Sequence, residues 1–86
     1  MNELQYESLI RELLEDTDTV LTIFDGMLIP QKRSSFYGSE RFICPGENNT
    51  YNICHLTKDF DEVTLCEDID TLKEAVIKLN KLIKIS

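Results

Sequence analysis

Val20-Leu21-Thr22-Ile23-Phe24-Asp25-Gly26-Met27-Leu28-Ile29-Pro30 decides the fold. β-Branched and aromatic side chains fill 20–24, the composition of a strand. Asp25-Gly26 then separates two apolar runs. A two-residue type I′ turn needs positive φ at both central positions, which Asp and Gly tolerate, so the segment predicts a β-hairpin. Pro30 lacks an N–H and closes the second strand or places it on a sheet edge.

Downstream, 31–40 reads as a loop and carries a locally basic stretch, with Lys32, Arg33 and then Arg41 beside Phe36 and Tyr37. A short strand is expected over 41–44. Pro45-Gly46-Glu47-Asn48-Asn49 is turn chemistry. Strands follow over 50–56 and 62–66, separated by a turn at 57–61. Every connection is short, so an antiparallel meander is the economical arrangement.

Helices bracket these strands. In 3–15, Tyr6, Leu9, Ile10, Leu13 and Leu14 recur on one helical face. Asn2 is placed to cap that helix. In 67–85, Ile69, Leu72, Val76, Leu79 and Ile83 form a second stripe, widened by Ala75 and Leu82. Asp68 or Asp70 is expected to cap it, and Lys78, Lys81 and Lys84 suit its C-terminal dipole. The expected fold is α+β: one α-β-β-β-β-β-α domain over 1–86, with a sheet of four to five strands and both helices on one face.

The 86 residues hold 16 acids and nine bases, for a net charge of −7. The acids are unevenly placed. Residues 1–18 carry six acids against one base. Such a balance repels nucleic acid and anionic lipid, so neither is an expected direct partner. No run is long and apolar enough to span a membrane. The N-terminus has neither a basic n-region nor an apolar h-region, so a cytosolic location is expected.

The three cysteines, Cys44, Cys54 and Cys66, are an odd number for a disulfide framework. With His55 they supply four ligand types for a metal, but their spacings miss the pattern of structural zinc sites. Cys54 and His55 are adjacent on an expected strand and so face opposite ways. Cys54 and Cys66 could neighbour one another across strands; packed thiols are the expectation. The Asp-x-Asp pairs at 16/18, 59/61 and 68/70 do not continue into a calcium-loop pattern. No nucleophile elbow and no phosphate-binding glycine loop occurs, so no cofactor and no enzymatic activity are expected.

What remains is surface. Both faces of 20–24 and 50–56 carry large apolar groups, so part of the second sheet face needs cover. A homodimer, a partner or the 31–40 loop folded over would supply it. Glu15-Asp16-Thr17-Asp18 puts acids at the unfavourable end of the first helix, against local stability. The expected function is therefore a small acidic protein-binding module. Glu7, Glu12, Glu15, Asp16 and Asp18 would dock on a basic protein surface. In size and charge alone, the chain is similar to small phage and mobile-element proteins that inhibit nucleic-acid enzymes by placing carboxylates where phosphates would sit. The alternatives are a homodimeric structural or regulatory protein, and a metal-dependent sensor or enzyme using Cys54, His55 and Cys66.

Overall fold

The computed structural model describes the backbone of residues 3–85 and the side chains of residues 5–83. The expected Asn2 cap and the Lys84 side chain lie outside the described residues. The elements run α1 (Glu3–Leu13), β1 (Thr19–Phe24), β2 (Met27–Lys32), a single 3-10 turn (Arg33–Ser35), β3 (Glu40–Pro45), β4 (Tyr51–Leu56), β5 (Glu62–Ile69) and α2 (Leu72–Ile85). The fold is α+β, a five-stranded antiparallel sheet with a helix at each end of the chain.

The Asp25-Gly26 turn forms as the sequence requires. Asp25 has φ 53° and Gly26 has φ 77°, and Phe24 pairs with Met27 across it. Hydrogen-bonded and open pairs alternate along such a ladder. With the pair at the turn bonded, Leu21 opposite Pro30 is an open pair, so the nitrogen of Pro30 faces away from β1. No further strand can bond there, and β2 is an outer strand. Accordingly β3 joins the other side of β1, at Leu21 opposite Ile43, and the strand order is β2-β1-β3-β4-β5. β3, β4 and β5 continue as a sequential meander.

Alternation sends Leu21, Ile43, Ile53 and Tyr51 to one face. Ile10, Leu14, Leu72, Ala75 and Leu79 cover them there, so both helices share that side of the sheet. Val20, Phe42, Cys44, Cys54 and Leu56 form the opposite cluster. Phe36 closes it from the chain's own 33–39 segment, its ring 5.4 Å from that of Phe42. Of the three covers considered for the second face, the folded-over loop is the one this structure contains.

Several boundaries differ from the sequence reading: α1 ends at Leu13 rather than at 15, β2 runs on past Pro30 to Lys32, and β3 begins at Glu40, so the expected 31–40 loop shrinks to 33–39. The last strand runs on to Ile69, which is buried opposite Tyr51, and α2 begins only at Leu72. The cap is neither Asp68 nor Asp70. Thr71 Oγ1 accepts the Glu74 N–H at 3.1 Å, the first half of a Thr-x-x-Glu capping box. Asp68 instead sits at φ 56°, where the Asn52 side-chain oxygen accepts its N–H at 3.2 Å.

Candidate functional site

α1 buries only half of its apolar face. Ile10, and Leu14 directly after the helix, sink into the core. Tyr6, Leu9 and Leu13 are 42, 46 and 45% exposed. At roughly 100° per residue, Leu9, Leu13 and Tyr6 form a strip beside the buried residues, and Glu12 borders that strip on its outer side. Tyr6 also lines an apolar cleft of about 460 Å³ between the helices, with Leu28, Leu72, Val76 and Ile77.

The five acids expected to dock separate into two groups. Glu12 and Glu15 are exposed, and among the described residues neither carboxylate has a hydrogen bond or ion pair. The others hold the fold. Glu7 Oε1 accepts the Tyr51 hydroxyl at 2.9 Å. Asp16 accepts the Asp18 N–H at 3.0 Å and pairs with Lys32. That ammonium holds the Asp16 carboxyl below its ordinary range. Asp18 accepts both the N–H and the hydroxyl of Ser34, at 3.1 and 2.7 Å. Acids at the exit of α1 thus anchor the connection from β2 to β3, which answers the dipole conflict raised by the sequence.

Arg11 reaches the opposite way. Its guanidinium lies 4.5 Å from the Tyr51 ring centroid and donates to the carbonyl of Asn49. Burial pushes the Tyr51 hydroxyl up to about 12, and its bond to Glu7 adds to this while Arg11 opposes it. An unfolded tyrosine titrates near pH 10. Because the folded value is the higher, this contribution to stability is complete below pH 10 and is lost as pH rises towards about 12. Denaturation of the wild type and of Tyr51→Phe across that window should show an alkaline loss that the variant lacks. A matching loss in both excludes Tyr51 as its source.

The thiols pack as expected, with Cys44 and Cys54 buried and Cys66 half-buried, but the neighbouring pair is a different one. Cys44 and Cys54 lie on β3 and β4, with sulfurs 3.1 Å apart. A β-bulge between Ile53 and Cys54 sets Cys66 opposite Ile53, on the helix face. Cys54 and His55 face opposite ways, as the strand period dictates. Among the described residues, no three His, Cys, Asp or Glu side chains are grouped as metal ligands.

The basic 31–41 stretch is also tied inward. Arg33 donates to the Thr17 carbonyl at 3.0 Å and approaches Glu62 to 2.9 Å, and Arg41 donates to the Leu82 carbonyl at 2.8 Å. Tyr37 stands out from it, 91% exposed. Among the described residues, no helix is long and apolar enough to cross a membrane. Comparison with protein-family models, with curated proteins and with solved structures finds no match.

Proposed function

We propose that this chain is a non-enzymatic protein-binding module whose binding element is the outer half of α1. The observation that carries the reading is the exposed Tyr6–Leu9–Leu13 strip bordered by the unpaired Glu12, with Glu15 exposed and unpaired just past the end of α1. An apolar strip edged by carboxylates suits a segment that offers apolar side chains beside Lys or Arg. Asp16 and Asp18 add to the negative field while serving the fold, and Glu7 is turned inward to Tyr51. Basic clefts that ordinarily take a phosphate backbone supply the Lys and Arg that would meet these carboxylates, so a nucleic-acid-handling protein in the cytosol with an apolar patch beside such a cleft is the partner class this reading favours. A second copy fits less well, because it would bring two strongly acidic segments together.

Selection of a random peptide library on the immobilised chain tests the reading. Apolar residues at helical spacing with adjacent Lys or Arg should be enriched. Leu9→Asp with Leu13→Asp should abolish capture of those peptides while the circular dichroism spectrum is retained. Glu12→Gln with Glu15→Gln should weaken capture several-fold at low salt, and this difference should fade near ~0.5 M salt. Asp16 and Asp18 are left intact because their loss would disturb the 33–39 segment. Peptides without basic residues, or capture indifferent to Leu9 and Leu13, would contradict the proposal.

A further inference from the structure

Cys44 and Cys54 are brought together by register rather than by sequence spacing. Phe42 opposes Cys54 and Cys44 opposes Asn52, so the two cysteines are diagonal neighbours on the second sheet face. Diagonal positions usually stand too far apart for their side chains to meet closely. Here both side chains turn inward and the sulfurs come to 3.1 Å. A disulfide bond is roughly 2.05 Å long, so the sulfurs stand about 1 Å from bonding distance, and closure draws the two backbones together by whatever the Cβ spacing of a disulfide requires. The pair also has access from outside. Both thiols line an open cleft of about 330 Å³, walled by Arg33, Asn52, Glu62 and Thr64. A small oxidant can enter that space, whereas a protein thiol or a bulky disulfide would meet the Arg33–Glu62 pair across it.

We propose that Cys44 and Cys54 are a reversible-disulfide site closed by a hydroperoxide, with Cys54 as the attacking sulfur. The Cys54 thiolate attacks one peroxide oxygen and the O–O bond breaks. Cys54 becomes a sulfenic acid, and the leaving hydroxide (or alkoxide) takes up a proton. The Cys44 sulfur then attacks Cys54, the S–O bond breaks, and the Cys44 proton leaves with hydroxide as water. Two thiols and one hydrogen peroxide thus become one disulfide and two waters. A small dithiol or two small monothiols, able to enter the same cleft, return the two electrons.

The surroundings support this order of attack. The hydrogen bond between the two sulfurs draws the Cys54 thiol down to about 7 against the effect of burial, with Thr64 also helping. The same bond and burial push the Cys44 thiol up, so of the two sulfurs Cys54 is the one that ionises first. The Arg33 guanidinium favours the thiolate and Glu62 opposes it.

The test uses the reduced full-length chain treated with stoichiometric hydrogen peroxide. With Cys66→Ser, the intact mass should fall by two hydrogens, and both remaining thiols should become inert to iodoacetamide after denaturation. In the wild-type chain, peptide mapping should find the 44–54 link alone, with Cys66 alkylated. In denaturant, where chain spacing decides, the 54–66 link should appear as well. Cys44→Ser should trap Cys54 as a dimedone adduct. Thiols that stay alkylatable while only Cys66 oxidises would overturn the proposal. So would oxygen addition without a cross-link, or the same mixture of links in the native and denatured chains.

Discussion

Phe42→Ala is expected to cost about 3–5 kcal/mol of folding stability, the range for truncating a buried phenylalanine. Phe42 has no exposed surface. Its ring packs at 33° to that of Phe36, and the Arg33 guanidinium lies 5.6 Å from its centroid. Val20, Cys44, Cys54 and Leu56 complete the cluster. No helix covers this side, so the cavity cannot be filled by a layer settling inward. Loss of the ring also removes what Phe36 packs on, and with it the reason for the 33–39 segment to lie flat. A domain of this size holds only about 5–10 kcal/mol in total. Phe42→Ala should therefore lower the urea midpoint by a third or more. Tyr37→Ala, on the same segment but exposed, should change it by about 0.5 kcal/mol or less. A loss below about 1 kcal/mol for Phe42→Ala would mean that the second face is not a packed core.

The second large effect lies in α1 and divides its apolar residues. Ile10→Ala and Leu14→Ala should each cost about 2–5 kcal/mol, since both side chains are buried members of the principal core cluster that includes Leu21, Ile43 and Tyr51. Leu9→Ala and Leu13→Ala should each cost about 1 kcal/mol or less, because nearly half of each side chain is already in water. Three of the four lie on α1 and Leu14 directly follows it, its N–H still bonded to the Ile10 carbonyl, so propensity cannot separate them; Ile and Leu differ little from Ala in that respect. Burial alone does. Chemical denaturation of the four single variants reads this directly. Equal losses at all four positions would mean that the whole face of α1 is core, and the exposed strip would no longer be offered to anything.

The sequence carried much of this fold because its signals were local. Asp25-Gly26 required two positive φ values and has them. Asn48 and Asn49 likewise take φ of 53° and 63° in the turn between β3 and β4, where asparagine is tolerated. The start of α2 was misread through a coincidence: Ile69 stands three residues before Leu72 and so fits a helical stripe, although it belongs to β5. Thr71 and Glu74, spaced as a capping box, were the available correction.

The site was less legible because it depends on non-local geometry. Which of Tyr6, Leu9, Ile10, Leu13 and Leu14 is buried depends on how α1 is rotated against the sheet, and periodicity gives only the face. The acids at 16 and 18 look like surface charge until the end of β2 and the 3-10 turn after it bring Lys32 and Ser34 to them. From the strand order alone, Cys54 and Cys66 could stand beside one another. The bulge in β4–β5 turns Cys66 to the other face, and no residue type announces it.

The central claim is that α1 serves the fold with Ile10 and Leu14 and a basic partner with Tyr6, Leu9 and Leu13. The most direct measurement is amide chemical-shift mapping by NMR as a selected Lys- or Arg-bearing peptide is titrated into the chain. Saturable shifts concentrated over residues 5–16, with the amides of β4 left in place, are the predicted result. Shifts confined to Phe36–Arg41, or to Val63 and Leu65 on the outer strand β5, would contradict it.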